Sequence, residues 1–168
     1  MTLPEISEVL SAHPAVRRAE AVIVRCDDRD VTIAAVELNQ YVSGPILRNH
    51  VLKELGEDSG LAAVLIVEDI PTSGGEVDAE SLAAAVADGL CALFEEPRDD
   101  VERQVAAIWS QQMNVQSVGV NDDFLELGGD SLSVLGILTA VEEQFGRSLD
   151  VYQFMSAASV RGLADILR

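Results

Sequence analysis

The apolar residues of this chain change their spacing once, at the charged segment 95–100. Before that segment, β-branched runs alternate with amphipathic stretches, which predicts short strands mixed with helices. After it, every apolar stripe has helical spacing. We therefore expect two domains joined by a linker at residues 95–100. The first, residues 1–94, is an α+β subdomain with a short sheet and helices, and the second, residues 101–168, is an all-α four-helix bundle.

Turn and capping residues define the predicted elements of the first domain. The polar residues 26–30 lie between two β-branched runs and predict a hairpin. Asp78 is placed to cap a helix through about Phe94, because apolar residues recur on one face of this segment as far as Leu93. The predicted strands cover residues 21–24, 31–36 and 63–67, and the other helices of this domain lie near residues 4–10 and 45–55.

Composition excludes several classes of function. The 29 acidic and 11 basic residues give a net charge of −18, and the basic residues are too scattered to form the stripe that a nucleic acid or an anionic membrane requires. No apolar run approaches the roughly 20 residues that span a bilayer, and the N-terminus lacks the basic start of a signal peptide, so we expect a cytoplasmic protein. Cys26 and Cys91 form no CxxC or Cys/His cluster, so no metal site is expected.

The segment before the predicted helix of residues 131–145 carries the most informative chemistry. Gly128 and Gly129 precede Ser131 and leave the approach to its hydroxyl uncluttered for a large partner. A helix N-terminus also tolerates an adjacent phosphate. In the plainer interpretation, Asp130 or Ser131 only caps the helix and the glycines only turn the chain. The chemistry of these residues alone favours the cap.

Residues 99–168 resemble a peptidyl carrier, or thiolation, domain of nonribosomal peptide synthetases. This resemblance favours a modification site at Ser131 over a simple helix cap. The stretch Phe124-Leu125-Glu126-Leu127-Gly128-Gly129-Asp130-Ser131-Leu132 is similar to the family's phosphopantetheine attachment motif. The resemblance implies that Ser131 receives 4′-phosphopantetheine from coenzyme A through a phosphodiester, with Asp130, Gly129 and Leu132 as neighbouring cofactor-binding residues. The terminal thiol would carry an aminoacyl or peptidyl thioester in nonribosomal peptide synthesis, including antibiotic biosynthesis. Such domains are not enzymes, so no catalytic residue is expected.

Residues 4 to about 82 resemble the small C-terminal subdomain of adenylation domains. Its closing motif usually reads Asn-Gly-Lys-Val-Asp, and the matching residues here are Gly74-Gly75-Glu76-Val77-Asp78. Glu76 therefore stands where the family has its catalytic lysine. A carboxylate at that position repels the adenylate, and a reversed charge costs on the order of several kcal/mol at intermediate dielectric. We expect a catalytically inactive subdomain with a structural or docking role.

The resemblance also implies partners. A phosphopantetheinyl transferase would modify the carrier, a separate adenylation or acyl-loading enzyme would load it in trans, and condensation or tailoring enzymes would use the loaded group. Two other interpretations stay open. The chain is an unmodified interaction module that binds a synthetase, or it is a fragment of an active adenylating enzyme, against which Glu76 argues.

Overall fold

The computed structural model describes residues 2–56 and 59–168, and it divides into two compact units, Met1–Leu93 and Phe94–Arg168. The first unit combines strands with helices, whereas the described elements of the second unit are all helices. The predicted fold class, an α+β subdomain followed by an all-α carrier-like bundle, is confirmed.

The first unit is built around a three-stranded sheet. Strands β1 (Val16–Cys26) and β2 (Arg29–Leu38) form an antiparallel hairpin, and β3 (Leu61–Ile66) pairs with β2 in parallel, giving the order β1-β2-β3. The hairpin turns at Asp27 and Asp28, whose φ angles of 49° and 64° are left-handed. Two consecutive left-handed residues match the twist of the paired strands, so the ladder continues to the turn.

Helices cover both faces of this sheet. Helices α1 (Leu3–Ser11) and α2 (Gly44–Leu55) pack against residues such as Ala34 and Val36 of β2. Helix α3 (Ala79–Ala87) packs on the opposite face, against Ile33 and Ala35. Since successive side chains of a strand point to opposite faces, β2 reads as a continuous apolar run.

Helix α3 is shorter than predicted. We expected it to continue to about Phe94, but it ends at Ala87, and Leu90 is exposed. Gly89 has a φ angle of 80°, and the Leu90 amide donates to the Ala85 carbonyl, which is the hydrogen-bond pattern of a Schellman motif. The glycine therefore stops the helix, although apolar residues at helical spacing continue beyond it.

A small hairpin precedes α3. Strands β4 (Thr72–Ser73) and β5 (Glu76–Val77) pair in antiparallel fashion, and Gly74 and Gly75 form the turn with φ angles of 62° and 87°. The predicted turn of residues 71–75 thus belongs to a hairpin whose second strand begins at Glu76.

The second unit contains helices α4 (Asp100–Met113), α5 (Ser131–Phe145), α6 (Val151–Ala157) and α7 (Val160–Leu167). Its core contains three aromatic rings in mutual contact, those of Trp109, Phe124 and Phe154, with centroids 4.9–5.7 Å apart. Phe124 precedes α5, so this contact fixes the segment that leads to Ser131.

The segment 95–100, for which we predicted a linker, makes contacts within the second unit. Glu95 forms an ion pair with Arg161 of α7 at 3.0 Å and accepts a hydrogen bond from the Val120 amide through its carbonyl. Asp99 caps α4, and Asp100 is its first residue. This charged segment is therefore held against the helices that follow it.

Candidate functional site

A tight turn leads into α5. The amides of Leu127, Gly128 and Gly129 donate to the carbonyls of Asp123, Leu125 and Phe124. Gly128 has a φ angle of 90°, which disfavours other residues. A Cβ atom on Gly129 would overlap the ring of Phe124, so this position has no room for a side chain. The two glycines are therefore required by the backbone path and by the packing of the aromatic core.

Asp130 caps α5. One oxygen of its carboxylate, Oδ1, accepts hydrogen bonds from the backbone amide and the hydroxyl of Ser133, both at 2.9 Å. The amide hydrogen bond is the main cause that lowers the pKa of Asp130, and the Ser133 hydroxyl adds to it. The cap expected from the residue chemistry is therefore Asp130, which leaves Ser131 for another role.

Ser131 is the first residue of α5 and is exposed. Its hydroxyl makes no hydrogen bond within residues 2–56 and 59–168. The next residue, Leu132, is 78% exposed, and Leu125 of the preceding turn is also exposed. A helix start holds this hydroxyl at the surface, where a macromolecule can reach it.

Ser131 lines an apolar groove of about 480 Å³. Its walls come from the turn before α5, from α5 and from α6, and Ser131 and Asp130 contribute polar side chains to its lining. The principal apolar residues in these walls are Leu125, Val134, Leu135, Val151 and Met155.

The surroundings of Ser131 are acidic. Residues 121–145 contain six carboxylates and no Lys, Arg or His. Partial desolvation raises the pKa of Glu126, and the negative charges of Asp123 and Asp122 raise it further. A surface of this composition complements a partner that offers basic and apolar side chains.

The structure brings together most of the predicted site residues. Gly129, Asp130, Ser131 and Leu132 lie in one turn at the start of α5. Glu76 lies in the other unit, exposed on β5 and paired with Ser73.

Sequence reasoning did not find the contribution of α6 to the groove. The sequence did contain a signal for it: α6 has too many apolar residues for so short a helix to bury all of them. Phe154 is buried, whereas Val151, Tyr152 and Met155 are exposed.

Comparison with known families identifies the second unit. Residues 103–167 match the family model described as "Phosphopantetheine attachment site". The second unit is therefore similar to phosphopantetheine carrier domains over most of its length. We refer to residues 94–168 as the carrier domain, and 4′-phosphopantetheine is the cofactor of its family.

The whole chain is similar to parts of peptide synthetases. It is 27% identical to surfactin synthase subunit 3 of Bacillus subtilis (strain 168), over 99% of this chain and 13% of that protein. It is 32% identical to tyrocidine synthase 2 of Brevibacillus parabrevis, over 97% of this chain and 5% of that protein. The chain thus spans a small part of the length of these relatives.

Among solved structures, the chain is similar to the McyG A-PCP complexed with phenylalanyl-adenylate. The identity is 24%, the match covers 98% of this chain and 30% of that chain, and the TM-score is 0.44. Separately, no helix within the described ranges 2–56 and 59–168 is long and apolar enough to cross a membrane.

Proposed function

We propose that Ser131 is the attachment residue for 4′-phosphopantetheine and that the carrier domain thereby tethers an aminoacyl or peptidyl group as a thioester. The exposed hydroxyl at the first position of α5 carries this proposal, because it lies inside the segment that matches the family. Ser131 also lines a mostly apolar groove, which suits a long organic arm. The residues present therefore fit the group.

Attachment requires a transferase. The Ser131 oxygen forms the new bond to the phosphorus of the pantetheine phosphate, the pyrophosphate bond of coenzyme A breaks, and adenosine 3′,5′-bisphosphate leaves. The hydroxyl proton needs a base, and residues 94–168 contain no histidine. Asp130 is engaged in capping α5, and we assign the base to the transferase. When the arm is bound, its terminal thiol supplies the site of thioester formation.

Intact mass spectrometry tests the attachment. After incubation with coenzyme A and a broad-specificity phosphopantetheinyl transferase, we expect the full chain to gain the mass of one phosphopantetheine. The Ser131→Ala variant should gain no mass. The matched variant Ser133→Ala should gain the arm, because the backbone amide of residue 133 can still donate to the Asp130 carboxylate that caps α5. An unchanged wild-type mass supports the unmodified interaction module instead.

We also propose that the first unit is catalytically inactive and that the carrier is loaded in trans by a separate adenylation or acyl-loading enzyme. Glu76 on β5 puts a carboxylate where the resembling family has a lysine, and Lys53, the single lysine of the chain, belongs to α2. Condensation or tailoring enzymes would then use the tethered group. The synthetase relatives favour peptide-antibiotic biosynthesis as the setting. The first unit would serve as a structural or docking element.

Exchange of pyrophosphate into ATP tests this second proposal. We expect no amino-acid-dependent exchange by the purified chain, and no rescue by Glu76→Lys alone, because one lysine does not supply a nucleotide-binding portion. A mock preparation from the same host reveals any signal that comes from contaminating synthetases. Exchange that purifies with the chain would instead support a fragment of an active adenylating enzyme.

A further inference from the structure

Two histidines of the first unit contact each other beside the end of α1. His13 lies in the turn that follows α1, and His50 lies in α2. Their rings meet edge to face, with centroids 5.0 Å apart and an interplanar angle of 82°. Both residues are half-buried, and the chain contains no other histidine. The contact therefore joins α1 to α2 through two groups that take up protons near neutral pH.

A hydrogen bond requires one protonation state of His13. Its Nδ1 atom accepts a hydrogen bond from the backbone amide of Ala15 at 3.1 Å. Nδ1 can accept only when it carries no proton, so the bond needs the neutral ring with its proton on Nε2. This bond closes the turn from which β1 begins at Val16. Protonation of Nδ1 would therefore remove the acceptor that stabilises the turn between α1 and β1.

The surroundings of His13 also favour its neutral ring. Partial burial lowers the pKa of His13, and the positive charge of a protonated His50 lowers it further. A base whose pKa is lower in the folded chain than its ordinary value of 6.5 adds stability that is complete above pH 6.5. That stability is lost as the pH falls through 6.5 towards the pKa of the folded chain.

Other charged groups lie on the elements that pack around this contact, but among the described residues none forms an ion pair with either histidine. They include Glu8 of α1, Arg17 and Arg18 of β1, Glu37 of β2, and Arg48, Lys53 and Glu54 of α2. Arg17 and Arg18 pair with Glu37. Arg48 is buried, whereas Glu8, Lys53 and Glu54 are exposed to solvent. His50 is thus the group whose charge acts on His13.

We propose that His13 and His50 form a pH-sensitive latch, in which the neutral rings hold the turn after α1 against α2 and proton uptake releases it. Protonation has two effects that act in the same direction. The Ala15 amide loses its acceptor, and two charged rings at this distance repel each other. The latch belongs to the first unit, so it does not depend on the proposed attachment at Ser131.

Nuclear magnetic resonance of the full chain tests the latch. The two histidines give two sets of ring C–H signals, which are followed between about pH 5 and pH 8. We expect the His13 signal to titrate with a midpoint below 6.5. The amide proton of Ala15 should move upfield with the same midpoint, because its hydrogen bond to Nδ1 is lost.

The matched variants are His13→Asn and His50→Gln. An Asn side chain accepts a hydrogen bond from the amide two residues on, which is the pattern of the bond from Ala15 to His13, but it does not titrate. We therefore expect the Ala15 amide shift of His13→Asn to stay constant across this pH range. In His50→Gln the neighbouring charge is absent, so the midpoint of His13 should rise towards 6.5. This variant also assigns the two histidine signals.

Urea unfolding gives the effect on stability. The transition is followed at a core amide of the first unit, such as that of Ala34. The urea midpoint of the wild type should fall when the pH is lowered from about 7.5 to about 5.5, and that of His13→Asn should fall less.

Three results would overturn the latch. The first is a His13 midpoint at or above 6.5, and the second is an Ala15 amide shift that does not follow the titration of His13. The third is an equal fall of the urea midpoint in the wild type and in His13→Asn, which would assign the contact a role in packing alone. If His13→Asn fails to fold, the wild-type titration and the change of the His13 midpoint in His50→Gln still decide.

Discussion

Gly129 belongs both to the sequence motif before Ser131 and to the packing of the aromatic core. The Cα of Gly129 lies against the ring of Phe124, which is buried between Trp109 and Phe154. The glycine beside the attachment residue is therefore also a packing residue. This contact explains why position 129, directly before the helix cap Asp130, has no room for a side chain.

We predict that Gly129→Ala destabilises the carrier domain. The added methyl group must displace the Phe124 ring or the turn, and overpacking of this kind costs about 1–3 kcal/mol. Thermal unfolding monitored by circular dichroism gives the change in free energy of unfolding.

The matched control is Gly136→Ala in the interior of α5. The atoms nearest to its Cβ belong to the exposed side chain of Gln112, which can move away. Alanine is also the better helix former by about 1 kcal/mol, so this variant should be neutral or more stable. Equal destabilisation of the two variants would contradict the explanation by packing.

At the scale of elements, a buried carboxylate joins α4 to α7. Glu102 of α4 is fully buried and accepts a hydrogen bond from Arg98 at 2.7 Å and from Arg168 at 3.2 Å. Arg161 of α7 lies 3.5 Å from the same carboxylate. The hydrogen bond from the Arg98 side chain is the main cause that lowers the pKa of Glu102 to about 2, against its burial. These arginines therefore compensate the desolvation of Glu102.

We predict that Glu102→Gln destabilises the carrier domain by about 3 kcal/mol near neutral pH. This value is at the lower end of the range measured when one partner of a buried ion pair is removed, because the arginines that contact Glu102 are partly exposed. The folded pKa of about 2 lies below the ordinary value of 4.5. The stabilisation is therefore complete above pH 4.5 and is lost as the pH falls towards 2.

Urea unfolding of the wild type and Glu102→Gln between pH 2 and pH 7 measures this effect. The difference in unfolding free energy should narrow as the pH falls below about 4.5. Glu143→Gln, at an exposed position of α5, serves as the control and should change little at any pH. A difference between the wild type and Glu102→Gln that does not depend on pH would contradict the role assigned to the charge.

At the scale of the whole molecule, the position of the domain boundary decides which piece can function alone. Residues 94–98 precede the segment that matches the family but contact the carrier domain. Glu95 pairs with Arg161, Arg98 pairs with Glu102, and a Cβ on Gly119 would lie 3.0 Å from the Phe94 ring. The carrier domain therefore includes this segment.

We predict that residues 94–168 fold and accept phosphopantetheine independently of residues 1–93. Residues 99–168 should also fold but be less stable, by about 2 kcal/mol, because two ion pairs and a backbone hydrogen bond are removed. Thermal melting and intact mass measure both properties. Equal melting temperatures of the two truncations would contradict the contribution of residues 94–98.

The same truncation addresses the role of the first unit. If that unit is a docking element, the domain of residues 94–168 should receive phosphopantetheine at nearly the rate of the full chain but its acyl group more slowly. Both rates are measured with the same partner enzymes. Equal acyl-loading rates would leave stability or solubility as the contribution of the first unit.

The sequence by itself determined the features that depend on neighbouring residues. It led to correct predictions for the hairpin around residues 26–30 and for a helix over residues 131–145, because turns and caps act over a few positions. It also contained the stop signal of α3 at Gly89, but the apolar residues Leu90 and Leu93 favoured a longer helix. In that case a local conformational requirement outweighed the apolar pattern.

Only the tertiary structure decided which distant residues meet. Two such contacts have no signature in local spacing: the pairing of Glu95 with Arg161, and the placement of Met155 in a groove that Ser131 also lines. Periodicity shows that a helix has an apolar face, but not which residues will cover it. Those contacts arise when the helices pack around Trp109, Phe124 and Phe154, and this packing brings together side chains that are far apart in the chain.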